Sequence, residues 1–369
     1  MLKYFLDKLH VPKPFTGNII TREQPCRMCG GIEALTVATV DFWDLQRSDI
    51  VKCSECGHIQ LDPMLTNEAT ETGCNAYLVE ETINTSINEQ ERNLIRNYRR
   101  GILFAFHLKR IGFNPGTILE FGPGSGYFSA GVQFIFPGCK VTVVDIVDEV
   151  LRNNKEIHGF QAFKGTPENL EQLEGVKFDL VIARDIIEHV TDISKVTDNV
   201  VNHLNDNGLF LFITPNGHED VWGHYVNHIL KNTHSELLIN HVNYFDGTGL
   251  LKFLENKGLS PVSYYTYQVK TTFRGKGWKI TPKLSANPTS KRASGEMIKR
   301  MGEVTSKPGF EKKKILQSWL FSGKLKWITV FWCWYHHFTI IRLSPKLNVG
   351  HEILGLFIKK VEPENHSQI

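Results

Sequence analysis

Two spacings of apolar residues divide the middle of this chain into helices and strands. From Ser86 to Ile111 the residues Ile87, Leu94, Ile95, Tyr98, Ile102, Leu103 and Phe106 return at helical spacing, which predicts a helix with one buried face. Short, nearly continuous apolar runs follow at Thr117–Phe121 and Cys139–Asp145. Runs of that length between turn residues read as buried strands, with helices in the stretches between them. The predicted class is α/β.

The first run leads into Leu119-Glu120-Phe121-Gly122-Pro123-Gly124-Ser125-Gly126-Tyr127, a strand that closes on an acid and then turns through glycines. Glycines at 122, 124 and 126 allow a tight turn and the close approach of a ligand, and the next helix offers unpaired N–H groups. A dinucleotide fingerprint needs a glycine at 127, where bulky Tyr127 stands, and there is no G-K-[ST] for a nucleoside triphosphate. The second run ends on Asp145, nineteen residues beyond Gly126, where a carboxylate on the neighbouring strand tip can accept both hydroxyls of a ribose.

From about Ile118 to about Val269, and again over Glu352–Lys359, the chain resembles the class I S-adenosylmethionine-dependent methyltransferases. Besides the glycine turn and Asp145, the resemblance rests on three further stretches. Phe178–Val190 matches the fourth strand and following helix, Asn205-Asp206-Asn207-Gly208 turns into a fifth strand at Leu209–Asn216, and His241-Val242-Asn243-Tyr244-Phe245 precedes a helix to Lys257-Gly258. The resemblance implies a Rossmann-like seven-stranded methyltransferase sheet. It also implies that Glu120 sits near the methionine amino group, that Gly122, Gly124 and Gly126 line the methionine moiety, and that Asp145 holds the ribose, with Arg184 in the same cofactor set. Where many relatives place an acid for the adenine amine, this chain reads Lys164-Gly165-Thr166-Pro167-Glu168, which leaves Thr166 or a backbone carbonyl to take that part.

Ahead of this core stand Cys26-Arg27-Met28-Cys29-Gly30 and Cys53-Ser54-Glu55-Cys56-Gly57, two C-x-x-C-G turns separated by twenty-three residues. Each places two thiolates on one turn whose glycine tolerates positive φ, and two such turns complete a closed, structural zinc site of four cysteines. Seven cysteines make an odd count, and Met1–His10 is short and amphipathic rather than continuously apolar. Both disfavour disulfides and predict a cytoplasmic protein. Cys74, Cys139 and Cys333 lie outside the set, and His58 borders it without being needed. Such a ribbon before a methyltransferase core resembles the zinc-containing sugar methyltransferases. Their usual second Rossmann-like domain has no room in 369 residues.

The expected organisation is an N-terminal zinc-knuckle module with the four cysteines over 1–75, the methyltransferase core with its leading helix over 76–275, an insertion over 276–346, and the last strand with a tail over 347–369. A hydrophobic content of 41% is ordinary for a globular enzyme, but charge is uneven. Residues 276–346 hold fifteen Lys or Arg against three Glu, a net of +12 where the whole chain carries +3. Lys283–Lys314, rich in Ser, Pro, Gly and Lys, reads as a mobile loop. Ile315–Leu343 carries Trp319, Leu320, Phe321, Trp327, Ile328, Phe331, Trp332, Trp334, Tyr335 and Phe338. Too short an apolar run to span a bilayer, and interrupted by His336-His337, it reads either as a lid over the acceptor pocket, the favoured choice, or as a peripheral membrane helix.

Methyl transfer from a sulfonium needs alignment and exclusion of water, and a base where the acceptor is a hydroxyl. His218, His224, His228, His234 and His241 lie between the fifth strand and the next helix; His241 is the favoured catalytic residue, with His189 its rival. On a helix, Asp185, Glu188 and His189 would share one face at i, i+3, i+4, a spacing similar to that with which some RNA-end and quinone O-methyltransferases hold a divalent ion. His241 would complete such a site. The leading expectation is a methyltransferase acting on O or C of a small or glycosidic acceptor, and a phosphorylated or nucleotide-linked one suits the basic insertion. The rival expectations are an RNA or quinone/lipid O-methyltransferase and a non-catalytic binding protein on this fold; a nucleic acid partner is disfavoured because the basic stretch lacks an RNA-binding motif.

Overall fold

The structure, a computed structural model, describes residues 15–42, 45–66, 69–70, 86–231, 235–236, 240–267, 303–322, 342, 344–347 and 350–360. Its main sheet has seven strands: β5 (Thr117–Phe121), β6 (Lys140–Asp145), β7 (Gln161–Lys164), β8 (Phe178–Arg184), β9 (Leu204–Pro215), β12 (Leu259–Tyr267) and β13 (Glu352–Lys359). They lie in the order β12-β13-β9-β8-β5-β6-β7. Pairing is parallel from β7 through β6, β5 and β8 to β9, and β13 runs antiparallel to both β9 and β12. This mostly parallel sheet is the methyltransferase sheet that the sequence predicts.

The central strands are nearly continuous apolar runs because both sheet faces are covered. Alternate side chains go to opposite sides. Leu119, Phe121, Val181 and Phe212 pack on one side with residues of α4 (Ile193–His203) and α6 (Gly247–Asn256). Ile118, Val141, Val143, Leu180 and Ile182 pack on the other with α1 (Ile87–Arg110) and α2 (Tyr127–Ile135). The leading helix α1 begins where Ser86 caps it, the Oγ accepting from the Glu89 N–H at 3.3 Å. It crosses α2 so closely that a Cβ on Gly101 would lie 1.9 Å from the Phe128 carbonyl oxygen.

A second sheet holds the cysteine turns. It consists of β1 (Ile19–Thr21), β2 (Glu33–Phe42), β3 (Gln46–Cys53) and β4 (Ile59–Asp62), in that spatial order, followed by β11 (Asn243–Tyr244); β10 (Ser235–Glu236) pairs with β2. Two of its strands therefore come from the chain beyond β9. Asn243 pairs with Gln60 and Tyr244 with Ile59, and α5 (Gly217–Lys231) contributes Val221 and Tyr225 to the small core beneath.

Within the basic insertion, the reading of Lys283–Lys314 as a loop is corrected at its end, because α7 runs over Pro308–Ser322. Phe310 anchors it: the side chain is fully buried against Tyr127, with ring centroids 5.6 Å apart. The insertion thus touches the residue next to Gly126. Ile315 and Leu316 are exposed, and residues 323–341, with most of the proposed aromatic lid, lie outside the described residues. Cys74, Cys333 and His234 lie outside them too. Among the described residues no helix is long and apolar enough to cross a membrane.

Candidate active site

Gly122, Gly124, Gly126, Asp145, Thr166 and Arg184 all lie at or just past the C-terminal ends of the adjoining strands β5, β6, β7 and β8. Ligands of open α/β sheets bind at that edge. The turn requires its glycines: 122, 124 and 126 have φ of 56°, 52° and 74°. A Cβ on Gly126 would also stand 2.1 Å from Asn154 Oδ1. Asn154 Nδ2 donates to the Gly124 carbonyl at 2.9 Å and His158 Nε2 to the Ser125 carbonyl at 3.0 Å, so α3 (Asp148–His158) fixes the turn from behind. Nothing lies within 4 Å of a Cβ built on Gly124, so the turn keeps an open cradle there.

Glu120 is fully buried beneath this turn. Ser129 Oγ donates to its Oε2 at 2.5 Å, Arg184 Nε lies 3.5 Å from its Oε1, and the Arg184 guanidinium stacks 4.1 Å from the Phe128 ring centre. Burial raises the Glu120 pKa although Arg184 and Ser129 oppose it. Asp145 Oδ1 accepts from the Val147 N–H at 2.9 Å, and burial pushes its pKa up to about 6. An anionic Asp145 wants further donors, which a ribose diol supplies. Thr166 bridges to Asn169, and Gly165 N–H donates to the Asp145 carbonyl at 3.1 Å, which ties this loop to the Asp145 strand.

One expectation about the neighbouring strand end is wrong. Asp185, Glu188 and His189 do not share a helical face, because residues 187–189 form a turn and the helix begins only at Ile193. Asp185 sits at φ 55° and is exposed, while Glu188 is 1% exposed. The helical spacing fails because the chain must turn under the cofactor edge: Ile186 Cδ1 would lie 2.1 Å from a Cβ on Gly122. Among the described residues, those that do converge are Glu188, His189 and His241, each with a ligating atom within 4.8 Å of the others.

The convergence comes from two stitched segments. The Glu188 carbonyl accepts from Val242 N–H at 2.9 Å and Asn243 N–H at 3.0 Å, and Asn243 Nδ2 donates to the carbonyls of Val190 at 2.7 Å and Ile187 at 3.3 Å. His189 and His241 then meet edge to face, ring centroids 4.9 Å apart. Burial depresses the His189 pKa to about 3 and raises that of Glu188 to about 8. Burial opposes the charged form of His241 as well, but Asp220, its Oδ2 2.7 Å from His241 Nδ1, outweighs it and holds this pKa above the usual value. Of the other histidines, His218 pairs with Asp246 at 3.2 Å and stacks on Phe15.

Sequence reasoning missed Asp220, Thr214, Asn240 and Arg27. Arg27 stands inside the first cysteine turn. Its Nη1 donates to the Val242 carbonyl at 2.9 Å and to Asn243 Oδ1 at 3.3 Å, and its Nη2 to the Leu61 carbonyl at 2.9 Å. His58, buried and neutral, donates from Nε2 to Asn243 Oδ1 at 3.2 Å. The cysteine turns thus grip the segment that carries His241. Their own thiols converge, with Cys26 Sγ 3.5 Å from Cys56 Sγ and Cys29 Sγ 3.6 Å from Cys53 Sγ. Four sulfurs at such range on turns with Gly30 at φ 79° and Gly57 at φ 75° suit a closed tetrahedral ion.

Residues 90–264 match the family profile described as Methyltransferase domain, and with the seven-stranded sheet they make this part of the chain a class I S-adenosylmethionine-dependent methyltransferase domain. Among curated relatives, a malonyl-[acyl-carrier protein] O-methyltransferase of Bacillus anthracis is 26% identical over 127 residues, 34% of this chain and 47% of its own. A ribosomal RNA small subunit methyltransferase G of Streptococcus agalactiae is 28% identical over 115 residues, 29% of this chain and 48% of its own. The chain spans less than half the length of each of these relatives. The solved plantazolicin methyltransferase BamL, in complex with a triazolic desmethylPZN analog and SAH, is 12% identical with a TM-score of 0.40, covering 79% of this chain and 98% of that one.

Proposed function

We propose that this chain transfers a methyl group from S-adenosylmethionine to an oxygen of a small or glycosidic acceptor. The observation that carries this reading is the turn of positive-φ glycines between buried Glu120 and Asp145, beside the Glu188–His189–His241 cluster on one sheet edge. S-adenosylmethionine would supply the electrophilic methyl group. Gly122, Gly124 and Gly126 would bring the backbone against its methionine moiety, Glu120 with Arg184 would face the amino-acid end, Asp145 would accept from the ribose hydroxyls, and Thr166 would lie at the adenine. The acceptor oxygen would meet His241, oriented by Asp220, with His189 beside it. A hydroxyl acceptor fits His241, whose hold on a proton Asp220 strengthens, better than a carbon acceptor does, since the hydroxyl proton has to leave. The four thiolates of Cys26, Cys29, Cys53 and Cys56 would hold a structural zinc.

Calorimetry tests the cofactor half of the reading. Asp145→Ala should weaken S-adenosylmethionine binding by about 1–3 kcal/mol through the lost charge-assisted hydrogen bonds; unchanged affinity removes Asp145 from the site. Transfer from labelled donor into a fractionated cell extract tests the acceptor half. Label in a glycosidic or other small metabolite is the expected outcome, and label confined to RNA or lipid overturns it.

A further inference from the structure

Tyr127, the bulky residue that stands where a dinucleotide fingerprint has glycine, is 1% exposed and caged by three rings. Tyr98 of α1, His158 of α3 and Phe310 of α7 each meet it edge to face, with ring centroids 6.5, 4.8 and 5.6 Å away and interplanar angles of 81°, 88° and 86°. The cage matters because α2 starts without a side-chain cap: its N-cap is Gly126, at φ 74° and with no side chain to accept from the first-turn N–H groups. His158, which stands against Tyr127, also donates to the Ser125 carbonyl at 3.0 Å. Ring packing around Tyr127 and the path of the glycine turn are therefore set together.

Two of the three rings belong to the core, and the third comes from the insertion. Phe310 and Val304, both fully buried, form a cluster with Tyr127 and with Leu94, Tyr98 and Ile102 of α1. Polar contacts hold the same segment in place: Lys313 Nζ stands 2.5 Å from Glu91 Oε1, Lys307 Nζ donates to Asn88 Oδ1 at 3.2 Å, and Lys314 Nζ lies 5.9 Å from the centre of the Tyr98 ring. Resting on the methyltransferase reading above, we infer that Phe310 is a positioning residue for S-adenosylmethionine. By closing the cage on Tyr127 it holds the start of α2 and the Gly122–Gly126 turn in the form that takes the cofactor. The insertion then serves the donor side of the reaction as well as any acceptor. Cofactor binding and docking of α7 are coupled, and the coupling is reciprocal: whatever α7 adds to cofactor affinity, bound cofactor adds to the docking of α7.

Calorimetry with S-adenosylmethionine, on the full-length chain, reads one side of the coupling. Phe310→Ala should weaken binding about fivefold or more, and Phe310→Leu, which keeps most of the buried volume, should recover much of the loss. Amide hydrogen exchange over 308–322 reads the other side: saturating S-adenosylmethionine should slow it in the wild type by a like factor and leave it unchanged in Phe310→Ala. A residue that merely supports the fold would lower the unfolding midpoint with neither effect. Lys313→Glu, on a side chain 59% exposed, sets like charge against Glu91 and gives the same two readings should Phe310→Ala fail to fold. Variants that bind S-adenosylmethionine within about twofold of the wild type overturn the inference, as does a wild type whose exchange over 308–322 ignores the cofactor. A wild type that fails to bind S-adenosylmethionine overturns the methyltransferase reading instead.

Discussion

Cys26, Cys29, Cys53 and Cys56 come from two turns of one small sheet, whereas Glu188, His189 and His241 come from a turn after β8 and from the segment ahead of β11. The first set is soft and uniform: around an ion, four sulfurs would complete a tetrahedron and leave no place for a substrate. The second is mixed, three-membered and set at the cofactor edge of the main sheet. Each of the first four donors is put in position by its own turn. The other three are put in position across two segments, through the four hydrogen bonds that tie 187–190 to 242–243, two from backbone N–H groups and two from the Asn243 side chain. The cysteine site can serve as scaffold for the other, because Arg27 lies within its first turn and reaches the Val242 carbonyl.

Breaking the proposed zinc site of the scaffold should have the largest effect. Cys53→Ser should lower zinc to well below one per chain by elemental analysis and drop the unfolding midpoint by roughly 5–10 °C, since a ribbon this small has little core of its own. Retention of both zinc and midpoint would remove Cys53 from the metal site.

Cutting the link should have a smaller, more selective effect. Arg27→Met keeps the aliphatic stem but removes the hydrogen bonds to the carbonyls of Val242 and Leu61 and to Asn243 Oδ1, at about 1.5–3 kcal/mol for a bond from a charged group. With zinc and S-adenosylmethionine affinity retained, kcat should fall about tenfold as His241 loses its fixed place. An equal loss of cofactor affinity would mean that Arg27 supports the whole fold rather than the acceptor side.

The smallest effect concerns pH at the cofactor edge, away from both clusters. Asp145 has a folded pKa raised by burial to about 6, above its ordinary 3.8, so the native state holds the extra proton. Its contribution to stability is complete below about pH 3.8 and is lost as pH rises through about 6. Ribose binding runs the other way, because it needs the carboxylate. S-adenosylmethionine affinity should therefore weaken as pH falls below about 6, up to tenfold per unit, and calorimetry on Asp145→Asn should show a flat profile. A wild-type profile as flat as the variant's would detach Asp145 from the ribose.

Much of this molecule is legible without coordinates. The helix over Ile87–Arg110 and the strand Lys140–Asp145 follow from the apolar pattern, since one buried face or two leaves a repeating mark in the sequence. The glycine turn and the C-x-x-C pairs are legible for a different reason: backbone at positive φ and thiols on one turn are local requirements, met by neighbours in the chain. Three features are not. The Asp-x-x-Glu-His spacing predicts a helix around Glu188, and only the packing of Ile186 beneath Gly122 makes it a turn. Asp220 has no mark in its surroundings, since its partner His241 lies twenty-one residues away on another segment. Arg27 reads as a filler between two cysteines until its guanidinium meets a carbonyl 215 residues further on. The sequence by itself determined which groups stand on one turn, one helix face or one strand, because those relations are set by backbone geometry over a few residues. Which carboxylate backs which histidine, and which arginine holds them in place, was decided only when the main sheet and the cysteine sheet shared the segment around β11, because contacts between distant segments carry no period.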